Sequence, residues 1–202
     1  MPASRPRGRP LSFDRDAALD RVLPVFWKKG FASASLDELA AAAGLNRPNL
    51  AAAFGDKRGL YLASMERFQA RFAMEAGKAL NGPGSLQVAL ERFFDFAVSV
   101  YAEKSLGCFV FGTAPAASGD DSEIQAELAK ALQQLRYTLE QRLSQSIGRE
   151  LAANADIPGL VTALSGVLLM LSLQARVGVP SAELCESHRR AVATIVKSGS
   201  SR

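Results

Sequence analysis

Three stretches of this chain have residue types and spacings that could do chemistry. The first is Asn46-Arg47-Pro48-Asn49. A guanidinium presents parallel donors that match guanine O6 and N7, and an asparagine amide pairs donor and acceptor with adenine N6 and N7, so these side chains suit the edges of bases in a major groove. The second is Arg5 to Pro10, RPRGRP, with three arginines and no acid. Within it Arg7-Gly8-Arg9-Pro10 has the form of an AT-hook core. Proline keeps the chain extended, glycine permits close approach, and Arg7 and Arg9 suit the narrow negative groove of A·T-rich DNA. The third is Cys108, behind Gly107 at the apparent start of a helix, where free N–H groups lower a thiol's pKa; it reads either as a sensor thiol or as a core-packing residue.

Catalytic equipment is missing. The sequence has no HExxH, GxSxG, P-loop or GxGxxG, and its one histidine, His188, leaves little acid–base capacity, so an enzyme is not expected. Cys108 and Cys185 lie too far apart to suggest a disulfide framework or a zinc-ligand pattern, which points to a reducing cytoplasm with no metal and no cofactor. For His188 a packed or surface position is expected.

Charge divides the chain. Residues 1–60 hold ten Lys/Arg against six Asp/Glu, and the remainder holds fourteen against fourteen, so the whole net charge of +4 lies at the N-terminal end. That distribution suits a polyanion partner. The most apolar run, Leu160 to Leu173, is shorter than the roughly twenty residues of a membrane span and reads as a buried helix; no membrane association is expected.

The elements that must position these groups are helical throughout. Glycine and proline breaks delimit about nine helices, three of them short and crowded into residues 31–60. The first helix carries Leu19, Val22, Leu23 and Phe26 on one stripe and is stopped by Gly30. Ser35-Leu36-Asp37-Glu38 is a capping box that opens the second helix, whose stripe is Leu36, Leu39, Ala40 and Ala43. After Gly44, Asn46 serves as N-cap of a third helix. Two short helices joined by a tight glycine turn, with Ala40 allowing close approach and Leu45 and Leu50 sharing a core, have helix-turn-helix spacing. The N-terminal residues of the second of the pair then face base edges.

Residues 14–72 as a whole resemble the DNA-binding region of TetR/AcrR-family transcriptional regulators. The resemblance rests on Phe26-x-x-x-Gly30-Phe31, on the Ser35-Leu36-x-x-Leu39-Ala40-x-x-Ala43-Gly44 helix, and on Leu50-x-x-x-Phe54-x-x-Lys57 leading into a long fourth helix. It departs from the family at Ala51 and Ala52, where many members carry an aromatic and a histidine. The resemblance implies an all-α fold with an N-terminal three-helix helix-turn-helix domain and a helical effector-binding and dimerisation domain behind it. Here these map to a flexible basic arm at 1–13, a DNA-binding domain at 14–60 and an effector domain at 61–197. Double-stranded DNA is the implied partner, met by Arg7, Arg9, Ser35, Asn46, Arg47, Pro48, Asn49 and Lys57.

Beyond residue 61 the expectations are about packing. Phe93, Phe94, Tyr101, Cys108 and Phe111 are candidates to line a pocket for a small apolar or electrophilic effector. Leu164, Leu168 and Leu171 on one long helix and Leu184, His188, Val192 and Ile195 on the last are candidates for a homodimer face, formed as a four-helix packing between two copies. The expected function is a ligand-responsive or thiol-responsive regulator, a repressor that binds a pseudo-palindromic operator as a dimer. The alternative is an architectural protein that holds A·T-rich minor grooves without an effector.

Overall fold

The computed structural model describes residues 13–200, and Arg7 and Arg9 lie outside them. The described residues form α1 (Arg15–Ser33), α2 (Leu36–Ala43), α3 (Arg47–Phe54), α4 (Lys57–Asn81), α5 (Leu86–Ala102), α6 (Phe109–Ser118), α7 (Ser122–Ser144), α8 (Ile157–Arg176) and α9 (Ser181–Ser200), with a single 3₁₀ turn, Glu103–Ser105, after α5. Among them no strand forms; Ile147 and Leu151 make one isolated bridge.

Local chemistry explains where the first helices start and stop. Asp14 Oδ1 accepts the amides of Asp16 and Ala17 and opens α1. Gly30, at φ +75°, breaks α1 one turn before its end. The capping box is present: Ser35 Oγ accepts from the Glu38 amide and Glu38 Oε2 accepts from the Ser35 amide, at 3.3 and 3.2 Å. Gly44 closes α2 in the left-handed region, at φ +69°, and sends the Leu45 amide back to the Ala40 carbonyl. Two short helices occupy this stretch rather than three, because the segment after Gly30 makes only a final turn of α1. Leu36 is exposed, so the α2 stripe is Leu39, Ala40 and Ala43.

Helix α4 is the spine. At 25 residues it runs roughly 37 Å. Its N-terminal half packs on α1 through Tyr61, Met65 and Phe68, and its C-terminal half buries Ala76 and Leu80. The core is continuous from α1–α3 into α4–α9. Phe109, at the start of α6, joins the two parts by meeting Trp27, Tyr61 and Phe68 at ring distances of 5.7–5.9 Å. Tyr61 Oη also lies 2.5 Å from Thr113 Oγ1, so α4 and α6 are tied through a buried hydroxyl pair.

The 20-residue helix α8 is longer than its most apolar run. By length and composition alone it could cross a membrane, yet Leu160, Leu164, Leu168 and Leu171 on one side are packed inside the protein. This overturns the expected association face. Leu164, Leu168, Leu171, Leu184, His188 and Val192 are buried in the chain's own core, and Ile195 is half-buried against it. The outward side of α8 instead carries Leu169, Met170, Leu173 and Val177, which are 39–73% exposed. A helix that is apolar all round has two stripes, and periodicity does not say which one faces inward.

Candidate nucleic-acid interface and the cavity behind it

Ser35, Asn46, Arg47, Pro48 and Asn49 all lie exposed around the N-terminal ends of α2 and α3. The frame beneath them is rigid for identifiable reasons. Leu50 and Phe54 anchor α3 in the core. Arg15 holds the far end of α3, its guanidinium donating to the Ala53 carbonyl and lying 4.4 Å from the Phe54 ring centroid. Pro48 stands in the first turn, where its missing N–H costs no helix hydrogen bond.

Ser35, Asn46 and Arg47 are already engaged. Asn46 Oδ1 accepts the Asn49 amide at 2.9 Å, so its carbonyl oxygen is used as a cap and only its NH2 group is free to meet a base. This corrects the expectation that Asn46 could read adenine through both groups. Arg47 makes a bidentate pair with Asp37 of α2, at 2.5 Å, with both groups exposed. Asn49 has an exposed amide pointing away from the core of α3. Glu38 accepts from Lys29 and from Ser35, and these hydrogen bonds hold its carboxyl down at about 2.

Lys57, expected at the DNA backbone, also serves the fold. Its ammonium donates to the Ala32 carbonyl at 2.9 Å and lies 5.0 Å from the Phe31 ring centroid, and partial burial lowers its pKa. It ties the first turn of α4 to the turn after Gly30. Arg58 reaches the other way, to Asp121 and Glu123 at the start of α7, at 3.8 and 3.4 Å. A further link went unnoticed in the sequence: Arg67 pairs with Asp16 and Asp20 at 2.7 and 2.6 Å, and Arg71 with Asp20 at 3.0 Å, locking α1 to α4. The i,i+4 spacing of both pairs was visible, but not that they face each other.

Behind the interface lie two hollows that share a wall. A small pocket of about 80 Å³ sits between α4, α5, α6, α7 and α8, and Phe93, Tyr101, Cys108 and Phe111 line it together with Phe68 and Phe72. Phe94 does not: it stacks on the His188 ring of α9 at 5.6 Å. A cleft of about 290 Å³ opens on the other side of Phe68 and Phe72, bounded by Leu23, Trp27, Arg67 and Phe96.

Two effects oppose each other at Cys108. It is the N-cap residue of α6, and the Val110 and Phe111 amides do pull its pKa down. Burial outweighs them, since the thiol is 3% exposed, and pushes it up to about 11. Of the two readings of Cys108, sensor thiolate or core packing, a neutral thiol packed against Tyr101 fits core packing. Its backbone is fixed as well: the Cys108 amide donates to Ser172 Oγ at 2.7 Å, and the Gly107 carbonyl accepts from Trp27 Nε1 at 3.2 Å. Gly107 sits at φ +67° with the Ser172 carbonyl 2.5 Å from where a Cβ would be, so only glycine fits.

Comparison with known proteins agrees with this geometry. Residues 19–64 match the family described as bacterial regulatory proteins, tetR family. The chain is 32% identical over 184 residues to the HTH-type transcriptional repressor ComR of Escherichia coli (strain K12), covering 89% of this chain and 88% of that protein. It is 25% identical over 174 residues to the uncharacterized HTH-type transcriptional regulator YezE of Bacillus subtilis (strain 168), covering 84% and 90%. Among solved structures, a cysteine mutant of the TetR-family regulator CifR, in complex with double-strand operator DNA, superposes with a TM-score of 0.83 at 29% identity, covering 94% of this chain and 98% of that one. On its helix-turn-helix, its all-helical fold and these full-length relatives, the chain belongs to the TetR family of bacterial transcriptional regulators.

Proposed function

We propose that this protein is a ligand-responsive repressor that binds a pseudo-palindromic operator as a homodimer. Residues 14–60 read DNA and residues 61–197 hold the effector and the dimer contacts. The observation that carries this reading is the tip of α3: exposed Arg47 and Asn49 on a short helix pinned at both ends, beside the exposed N-terminus of α2. Arg47 and Asn49 enter the major groove. Asn46 contributes a single donor, while Ser35, Pro48 and Lys57 lie along the phosphates. Arg47 leaves Asp37 on binding, which exposed ion pairs permit because water already screens them. The arm at residues 1–13 adds Arg7 and Arg9 in an A·T-rich minor groove.

The second copy sits on the outward stripe of α8, since Leu169, Met170, Leu173 and Val177 form an apolar face that a two-fold partner with the same face would cover. The effector is an apolar molecule. It enters where Phe68 and Phe72 separate the smaller pocket from the cleft, because about 80 Å³ is well below the roughly 300–1,000 Å³ of ordinary ligand pockets and the two hollows together offer more room. Displacing those rings moves Phe109 and Trp27, and with them the link between α6 and α1.

Selection of bound duplexes from a random pool, followed by electrophoretic shift in the presence of apolar compounds, tests this reading. A two-fold-related consensus, lost from the shifted band when a compound binds, supports it. Uniform protection of any A·T-rich duplex, unaffected by deleting α3 contacts, would favour the architectural alternative instead.

A further inference from the structure

Away from both hollows, α5 and α9 bring together three side chains of different donor type. Asp95 on α5 and Cys185 and His188 on α9 place a carboxylate oxygen, a thiol sulfur and a ring nitrogen within 4.8 Å of one another. In the sequence Cys185 and His188 show only a Cys-x-x-His spacing. The third group lies far upstream, so no ligand pattern was legible.

The geometry around His188 is unusual for a packing residue. Its side chain is fully buried and stacked on Phe94, yet one ring nitrogen, Nδ1, has no hydrogen-bond partner, while Nε2 lies 2.9 Å from Asp95 Oδ1. Buried polar atoms are almost always paired, and an apolar side chain of similar size would fill this space without that cost. The ring is held by stacking on Phe94, and Nε2 is the nitrogen that faces the Asp95 carboxylate. Asp95 and Cys185 are half-buried, leaving the cluster an edge open to solvent.

We propose that Asp95, Cys185 and His188 form a binding site for a borderline-soft divalent transition-metal ion of the Zn2+ type, with water as the fourth ligand. A mixed sulfur, nitrogen and oxygen donor set suits such an ion and not Mg2+ or Ca2+. Donor atoms around a tetrahedral Zn2+ are about 3.5 Å apart, so a span of 4.8 Å closes with small side-chain rotations. On binding, Cys185 gives its thiol proton to solvent and coordinates as the thiolate. Thiolate and carboxylate together balance the two positive charges of the ion. Arg189, whose guanidinium lies 3.1 Å from both Asp95 oxygens, then swings away; it is half exposed and free to do so. The bound ion would join α9 to α5.

Titration of the full-length protein with Co2+ tests the site. The wild type should take up one ion per chain with a thiolate-to-cobalt charge-transfer band, and Zn2+ should displace it. Cys185→Ser should abolish the band and weaken Zn2+ by about tenfold or more, and Asp95→Asn should weaken Zn2+ by a similar factor while keeping the band. Arg189→Ala, which removes the competing cation, should tighten binding, a change that a purely structural role for the cluster would not produce. Cys108→Ser should leave all of these values unchanged. Should His188→Gln fail to fold, Asp95→Asn and Arg189→Ala still decide. No band in the wild type, a band that survives Cys185→Ser, or equal affinity in Asp95→Asn would overturn the proposal.

Discussion

The tip of α3 and the cavity behind α4 are built on opposite plans. The tip exposes its polar side chains and takes its shape from caps and one glycine, each of them a local interaction within a few residues. The cavity is lined by five helices, with aromatic rings from α4, α5 and α6, and its shape depends on which face of each helix turned inward. Chemistry at the tip is therefore set by residue type. In the cavity it is set by burial, which can reverse what residue type suggests, and Cys108 is the instance: the helix N-terminus lowers its pKa and desolvation raises it further.

Substitutions on the two sides should separate these plans. The largest effect is expected from Phe109→Ala. The ring is fully buried between Trp27, Tyr61 and Phe68, and its loss should destabilise the protein by about 3–5 kcal/mol, read by urea unfolding. If stability is unchanged, Phe109 does not hold the two parts of the core together.

Alkylation kinetics address the cavity without mutation. Because burial raises the Cys108 pKa to about 11, its thiolate is scarce near neutrality and increases as pH rises toward that value. Half-buried Cys185 should therefore be labelled first in the native protein, and Cys108 should react slowly, with a rate that climbs with pH. Peptide mapping after iodoacetamide gives the order. Rapid labelling of Cys108 near neutrality would restore the reading of it as a thiolate sensor.

At the tip the smallest effect is expected. Ser35→Ala removes one half of the capping box and should cost about 0.5–2 kcal/mol in thermal unfolding, with α2 otherwise intact. A change no larger than that of an exposed serine elsewhere would show that the Lys29–Glu38 pair holds the end of α2 by itself.

The same contrast governs what was legible in the sequence. Ser35 with Glu38, Gly44 and Asn46 announced the helix-turn-helix, because their hydrogen bonds lie within three or four residues of one another. Tyr101 and Phe111, read as aromatics on inward faces, line the smaller hollow. Phe94, next to Phe93, was misplaced because neighbouring residues on a helix point about 100° apart and only the position of α9 decides which one faces it. The α8 stripe was inverted for the same reason: Leu168 and Leu169 are equally apolar, and only tertiary packing distinguishes them. The pairing of Arg47 with Asp37 was not legible. It depends on how α2 and α3 cross.

The central claim is that Arg47 reads a base. It is tested most directly by measuring, at one fixed salt concentration, the affinities of the wild type and of Arg47→Ala for the selected operator and for random duplex. The account predicts a loss of roughly 5- to 150-fold on the operator with little change on random DNA, so that the specificity ratio collapses. An equal loss on both duplexes would contradict it, and would make Arg47 a phosphate contact like Lys57.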